Sequence, residues 1–381
     1  MIKEYLKLEK YDAAIQVFNY ISLMEFKPND IFFNKILDYI NKKSCNLRIT
    51  EYILNIMITN KIKASLVTFN TLLDLYIRKG DYKMTWHLFD TLASLRDPAP
   101  DNFTYSIMIN GIKNMEKPDL NKALELFEIY KKTNKPDLII YNSLLDVCIS
   151  CRKFEYVWKI HDEIKAIESI KCDEVTYNTL IKGCSKLGEY DQAALFFQEM
   201  KSNGVKPNKI TYNSMMDLFV KKKDFNGLMA TLEMMKSNGL IPDQFSYSIV
   251  LNGIKSCKTN KDTFKSTMSY ITQVIEDGTI KPDEVFYNSL IDVCIKYNEV
   301  EMALSFYEDM QKKNIIPSPI TFGILIKVFG RKNDLQRAFG IFEHMRNIGH
   351  AINVVTYGCI LDACTKNNRM DLGSLLPIKI F

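Results

Sequence analysis

Asparagine or serine stands at Asn34, Asn70, Ser106, Asn142, Asn178, Asn213, Ser248 and Asn288, a series whose spacing stays between 35 and 40 residues along the 381-residue chain. The spacing continues to Gly323 and Gly358, where glycine takes the place. An amide offers two N–H donors and a carbonyl acceptor, and a hydroxyl offers both roles, so such a row can hydrogen-bond the edge of a nucleobase. Both types are indifferent helix formers, yet the residues flanking each of them keep to an apolar stripe. The alternative is local: each side chain bonds a backbone group in the first turn of its own helix. Such local uses are sporadic, and a polar residue held in one register favours a partner outside the chain.

Three further rows share that register. Five residues ahead of the first row come Asn29, Ser65, Asp101, Asp137, Asp173, Asn208, Asp243, Asp283, Ser318 and Asn353. All are strong helix N-caps, so capping and contact with a base are both open for them. Three residues ahead come Ile31, Val67, Phe103, Ile139, Val175, Ile210, Phe245, Val285, Ile320 and Val355. Taken singly each reads as core; lining a groove, they make slots in which bases stack, with Phe103 and Phe245 the stronger. Eight residues behind the first row come Lys42, Arg78, Asn114, Ser150, Lys186, Lys221, Ser256, Lys296, Arg331 and Lys366. A cation there complements a helix dipole. Stacked side by side, the same cations form a ladder along a phosphate backbone, adding affinity without base preference.

The elements that hold these rows are legible in Glu174 to Asn208, EVTYNTLIKGCSKLGEYDQAALFFQEMKSNGVKPN. Tyr177, Leu180, Ile181 and Cys184 are spaced as one face of a short amphipathic helix. Gly188 can end it, because glycine accepts the left-handed conformation cheaply. A second stripe, Tyr190, Ala193, Ala194, Phe197 and Met200, runs to Asn203-Gly204, and Pro207 forbids continuation. Neither helix buries its apolar face alone, so copies must stack as a solenoid. Nine full units are expected, at 30–65, 66–101, 102–137, 138–173, 174–208, 209–243, 244–283, 284–318 and 319–353. Residues 1–29 match the turn, second helix and closing loop of a partial unit. Residues 354–381 open another first helix, VVTYGCIL, and end mid-unit in LLPIKIF. The extra residues of unit 244–283 are expected around Lys255–Asp262, in the turn between its helices.

Composition narrows the function classes. The chain is 47% hydrophobic and 25% charged, with a net charge of +5, so nucleic-acid binding would need its positive charge gathered on one face. No apolar run approaches the roughly 18–20 residues that span a bilayer, so no membrane partner is expected. Charges interrupt every apolar run of MIKEYLKLEKYDAAIQVF, which reads as a repeat under way rather than a signal peptide or a presequence. Of nine cysteines, Cys148, Cys184, Cys294 and Cys364 hold the same place in four units, the mark of a small apolar residue at a packed contact. Cys148 and Cys151 form a C-x-x-C, but no second pair or nearby histidine completes a metal site. The four histidines are scattered and no catalytic constellation, P-loop or G-x-G-x-x-G occurs. A non-enzyme without cofactor or metal is expected.

A period near 35 residues, opening VTYNTLI and closing GVKPN or GLIPD, resembles the pentatricopeptide repeat, and the resemblance covers essentially the whole chain. The tetratricopeptide repeat differs, with its W-x-x-L-G-x-x-Y opening and period of about 34 residues. The resemblance implies an all-α, right-handed superhelical α-solenoid whose first helices line a groove for single-stranded RNA, about one base per repeat. In family terms the base-edge contacts are Asn34 with Ser65, Asn70 with Asp101, Ser106 with Asp137, Asn142 with Asp173, Asn178 with Asn208, Asn213 with Asp243, Ser248 with Asp283, and Asn288 with Ser318. The stacking residues are then Ile31, Val67, Phe103, Ile139, Val175, Ile210, Phe245 and Val285. The cations Lys42, Arg78, Lys186, Lys221, Lys296, Arg331 and Lys366 stand along the phosphates. The family's approximate code assigns Asn–Asp to U, Asn–Ser to C, Asn–Asn to a pyrimidine and Ser–Asp to G. The pairs then spell C-U-G-U-(C/U)-U-G-C, and the unit with Gly323 and Asn353 has no reading.

No deaminase signature or aspartate-rich nuclease module accompanies the repeats. The resemblance therefore implies an RNA-binding protein of a mitochondrion or plastid, acting in transcript stability, processing or translation. Two other roles stay open: a structural subunit of a mitochondrial ribosome or similar ribonucleoprotein, in contact with ribosomal or RNA-processing proteins, and a protein-binding scaffold.

Overall fold

A computed structural model describes residues 2–7, 10–23, 29–43, 46–95, 97–347, 349 and 354–373. Asn353 and the tail LLPIKIF lie outside the described residues. All regular structure among the described residues is helical. The first helices are α1 (Ile2–Lys7), α2 (Tyr11–Leu23), α3 (Asp30–Lys43), α4 (Leu47–Thr59), α5 (Leu66–Lys79), α6 (Tyr82–Ser94), α7 (Asn102–Lys113) and α8 (Leu120–Thr133). Next come α9 (Leu138–Ser150), α10 (Phe154–Ala166), α11 (Glu174–Leu187), α12 (Tyr190–Ser202), α13 (Lys209–Lys222), α14 (Phe225–Ser237) and α15 (Gln244–Ser256). The last are α16 (Lys261–Glu276), α17 (Glu284–Lys296), α18 (Val300–Lys312), α19 (Pro319–Arg331), α20 (Leu335–Asn347), α21 (Val354–Lys366) and α22 (Met370–Gly373).

The chain divides into two compact units, Met1–Gly183 and Cys184–Phe381. In the first, α3, α5, α7 and α9 pack side by side as an inner layer, and α4, α6, α8 and α10 pack against them from outside. In the second, α13, α15, α17, α19 and α21 form the inner layer; α14, α18 and α20 back α13, α17 and α19, and α15 meets α16 through the Tyr247 and Tyr270 hydroxyls at 3.0 Å. Inner helices are therefore covered by inner and outer neighbours, and α9 meets α7, α8 and α10. This is why α9 (LIIYNSLLDVCIS) is apolar almost all round, with Tyr141, Leu144, Leu145, Val147 and Cys148 buried. Each fully buried aliphatic side chain contributes about 1.5–3 kcal/mol relative to exposure.

The ends of the inner helices follow from local chemistry. Asp101, Asn208, Asp243 and Ser318 accept at the first turns of α7, α13, α15 and α19, each in a reciprocal box with a Thr or Ser three residues on. Gly188 adopts φ 81° after α11, and the N–H groups of Gly188 and Glu189 return to the Cys184 carbonyl at 2.9 and 3.1 Å. Some buried tyrosines of the inner helices reach outer helices through their hydroxyls: Tyr141 donates to Glu163 at 2.9 Å, and Glu163 also receives Lys131 at 2.8 Å. Burial pushes the Tyr141 hydroxyl above its usual range, and the bond to Glu163 adds to the effect.

Two details differ from the sequence reading. The buried face of α12 is Ala193, Phe196 and Met200, whereas Phe197 is half-buried and Ala194 exposed. Steps of three and four both fit a helical stripe, so adjacent phenylalanines cannot be told apart by period. The additional length of residues 244–283 is shared between the turn at 257–260 and α16, which has 16 residues where most other helices have 13 or 14.

Cys148, Cys184, Cys294 and Cys364 are buried in helix contacts. Burial pushes the thiols of Cys148, Cys184 and Cys294 up to about 12. The thiolate is the reactive form, so these three should resist iodoacetamide at pH 8 in the native protein and react on unfolding in urea. Mass spectrometry of the labelled chain checks this. Equal labelling of all three in the native and unfolded protein would contradict their placement.

Candidate nucleic-acid interface

One stripe of α5, of α7 and of α9 opens on a groove. In α5 that face carries Val67, Asn70, Asp74 and Arg78, spaced i, i+3, i+7 and i+11, a single stripe of a 3.6-residue helix. In α7 it carries Phe103, Ser106, Asn110 and Asn114, and in α9 Ile139, Asn142 and Asp146. Set side by side, these stripes line a groove of about 820 Å³ in the first unit. Asp38 and Lys42 of α3, and Asp173, Val175 and Thr179 at α11, border it as well.

The apolar row lies in the open. Ile31, Val67, Phe103, Ile139, Val175, Ile210, Phe245 and Val285 are between 54% and 69% exposed, so none of them is core. Ile320 and Val355 continue the row at 67% and 69%. An apolar side chain is thus kept in water once per unit, while its neighbours one residue on are mostly buried.

The amide row lies just below this surface. Asn34, Asn70, Ser106, Asn178, Asn213 and Asn288 are at most 9% exposed, and Asn142 and Ser248 are half-buried. Asn34 Nδ2 donates to Ser65 Oγ at 2.9 Å, which joins the first two residues that the resemblance pairs. Asn70 Oδ1 and Asp101 Oδ1 both lie 2.8 Å from the Thr104 hydroxyl. Asn213 Oδ1 and Asp243 Oδ1 lie 2.8 and 3.1 Å from the Ser246 hydroxyl. The local alternative describes Ser248, which donates to its own Gln244 carbonyl at 2.9 Å. Ser106 instead meets Ser143 of the next inner helix at 2.5 Å. Asn288 Nδ2 donates to Glu284 at 3.2 Å, and the Oδ1 atoms of Asn142 and Asn288 are buried without a hydrogen-bond partner.

Capping is real for the other row. Asp137 accepts from the N–H groups of Ile139 and Ile140 (2.9 and 3.1 Å), Asp173 from Thr176 (2.8 Å), Asn208 from Thr211 (2.9 Å), Asp283 from Phe286 (2.9 Å) and Ser318 from Ile320 (3.2 Å). In each aspartate the cap uses Oδ1, so it does not require the second carboxylate oxygen.

The cations are exposed, but carboxylates attend them. Lys42 pairs with Asp38 at 2.8 Å, Arg78 with Asp74 at 3.1 Å, Lys221 with Asp217 at 2.9 Å and Lys366 with Asp362 at 2.5 Å, each one turn apart on its own helix. Lys296 donates to the Lys255 carbonyl and Arg331 to the Ile295 carbonyl (3.3 Å). Lys186 is exposed on α11. The acidic row also ties neighbouring inner helices together: Asp74 accepts from Asn41 at 2.8 Å, Asp217 from Ser185 at 2.9 Å, Asp146 from Lys113 and Asp292 from Lys255. Sequence reasoning missed this row, although Asp74, Asp217 and Asp292 each stand four positions before a cation. It also missed the hydroxyls of Thr68, Thr104 and Ser246, which touch the amide row from the next helix. Among the described residues no group of three or more His, Cys, Asp or Glu side chains is placed to hold a metal ion. No described helix is long and apolar enough to cross a membrane.

Inner helices stacked in register and backed by outer helices define an α-solenoid of helix-turn-helix repeats. The PPR repeat family matches residues 64–114, 136–186, 172–221, 207–256 and 282–331, and a single PPR repeat matches 320–350. These matches span more than half of the chain, which belongs to the pentatricopeptide repeat family. A mitochondrial pentatricopeptide repeat-containing protein of Arabidopsis thaliana is 26% identical over 200 residues, 50% of this chain and 29% of that protein. A chloroplastic one from the same plant is 30% identical over 132 residues, 34% of this chain and 16% of that protein. The chain thus spans a third or less of the length of these relatives. Among solved structures, maize PPR10 in complex with an 18-nucleotide psaJ RNA element superposes with a TM-score of 0.63 at 20% identity, covering 98% of this chain and 58% of that one. Yeast Rmd9p in complex with a 16-nucleotide target RNA gives a TM-score of 0.52 at 14% identity, covering 96% and 82%. These two likenesses establish the fold.

Proposed function

We propose that this chain binds single-stranded RNA in sequence-specific fashion in a mitochondrion or plastid, one base per repeat over the units at 30–318, and supports transcript stability, processing or translation without catalysing a reaction. The observation that carries the reading is the register of two rows: an exposed apolar residue and a nearly buried amide or hydroxyl, three residues apart, on eight successive inner helices. The first offers a base its face and the second its edge. PPR10 and Rmd9p, which share the fold, are solved in complex with RNA, and the names of relatives place them in mitochondria or chloroplasts; both support the proposal. The attended cations add phosphate attraction that the carboxylates beside them temper.

The test is binding of the purified chain to a labelled CUGUCUGC oligonucleotide and to a scrambled one at two salt concentrations. Preference for the first is expected, with discrimination of about 1–3 kcal/mol at a well-read base. Asn142→Thr, with Asp173 in place, should move the fourth-base preference from U toward G. Equal and steeply salt-dependent binding to both oligonucleotides would leave phosphate contact alone and point to a structural role in a ribonucleoprotein. No binding would leave a protein scaffold.

A further inference from the structure

The third residue of each unit, unused by the base assignments, tracks the fifth residue of the unit before it. Asn34, Asn70, Asn142, Asn178, Asn213 and Asn288 are followed at that place by Thr68, Thr104, Thr176, Thr211, Ser246 and Thr321. The two serines, Ser106 and Ser248, are followed by Ile140 and Phe286. A hydroxyl thus stands behind each asparagine and an apolar group behind each serine.

The contacts give that pairing a mechanism. Thr104 Oγ1 lies 2.8 Å from Asn70 Oδ1 and 2.8 Å from Asp101 Oδ1, and it accepts the Asp101 N–H at 3.2 Å. It has one proton for two acceptors. An ionised carboxylate is the stronger acceptor, so Asp101 takes the proton and the Asn70 carbonyl is short of a donor. Thr176 shows the same outcome: its hydroxyl donates to Asp173 at 2.9 Å, and Asn142 Oδ1 is left buried without a partner. Where the cap is a neutral serine the competition eases, because Ser65 has a proton of its own to donate across its 3.2 Å contact with the Thr68 hydroxyl. Thr68 donates to Asn34 Oδ1 at 2.7 Å, and Asn34 Nδ2 donates to Ser65 Oγ at 2.9 Å. The carbonyl is satisfied there, and the second amide N–H is what a base can meet.

We propose that the third-position hydroxyl is a specificity-determining positioning residue, which through its single proton lets the cap decide whether the preceding asparagine meets a base as acceptor or as donor. An acceptor suits the ring N–H of uracil and a donor the ring nitrogen of cytosine, so the inference rests on the RNA reading above and explains why Asn–Asp and Asn–Ser pairs differ. Asn288 departs from the scheme: Glu284 draws its amide nitrogen at 3.2 Å, and its carbonyl has no partner although the cap is Ser318. The eighth unit should therefore separate C from U less sharply than the first.

The experiment compares the full chain with Thr68→Val and Thr68→Ser on CUGUCUGC and UUGUCUGC. The wild type should prefer the first; no preference at this base in the wild type would sink the RNA reading itself. Thr68→Val leaves Asn34 Oδ1 without its donor, so it should lose roughly tenfold of the preference for C at the first base and keep the preference at the fourth, while Thr68→Ser restores it. A folded Thr68→Val chain with wild-type preference would overturn the inference alone. Should Thr68→Val fail to fold, Ser106→Asn with Asp137→Ser decides, with and without Ile140→Thr: the third-base preference should turn to C only when the threonine is present, and an equal turn without it overturns the proposal.

Discussion

Replacing Phe103 and Phe245 together by alanine should leave thermal stability nearly unchanged and weaken binding to CUGUCUGC by roughly thirty-fold or more. The affinity figure follows from base–aromatic stacking of about 1–3 kcal/mol per base, taken as additive over two bases, with 1.4 kcal/mol per tenfold. The stability figure follows from position. Phe103 is 56% exposed and Phe245 65%, and surface substitutions generally change stability by no more than about 0.5 kcal/mol. The contrast is Leu144→Ala in the packed face of α9, where the side chain is fully buried and truncation costs about 2–5 kcal/mol. Melting followed by circular dichroism and titration with the labelled oligonucleotide separate the two effects. A Phe variant that melts like the Leu144 variant would show the phenylalanines to be core. A stable variant with wild-type affinity would remove stacking from the account.

That contrast also measures how much the sequence disclosed. The buried stripe Tyr177, Leu180, Ile181 and Cys184 was legible because its period matches the α-helix. The exposure of Ile139 was not, since Leu138, Ile139 and Ile140 form one apolar run. Only the placement of α9 between neighbours buries Ile140 and leaves Ile139 in water. The capping by Asp137 and Asp173 was local and could be read from residue type. The bond from Thr104 to Asn70 spans 34 residues and joins two helices, so no periodicity within one helix reports it. The cations were visible as a row; the pairing of Lys42 with Asp38 and Arg78 with Asp74 required asking what stands one turn earlier on the same face.

The second large effect concerns the spacing of the inner layer on which those rows depend. Gly330→Ala in α19 should destabilise the packing of α19 against α21, whereas Gly340→Ala in α20 should stabilise the chain. Both glycines lie in helices, where alanine is favoured by about 0.5–1 kcal/mol. At Gly340 an added methyl meets nothing within 4 Å, so this gain stands alone. At Gly330 it would come within 2.5 Å of the Ala363 Cβ and 3.0 Å of the Ala363 Cα. Neither atom can turn away as a long side chain could, so α21 must move, and overpacking of this kind typically costs about 1–3 kcal/mol. The shift would also strain the bond from Asn367 Nδ2 to the Gly330 carbonyl, 2.8 Å long. Because a solenoid is stabilised between nearest neighbours, the loss should stay local. Hydrogen exchange should quicken in α21 and change little in α13. Affinity for CUGUCUGC should hold, since the eight units proposed to read it end at Ser318, the N-cap of α19. Equal signs for the two substitutions would contradict the close approach of α19 and α21. An affinity loss from Gly330→Ala would mean that RNA contact continues past the eighth unit, onto the exposed Ile320 and Val355.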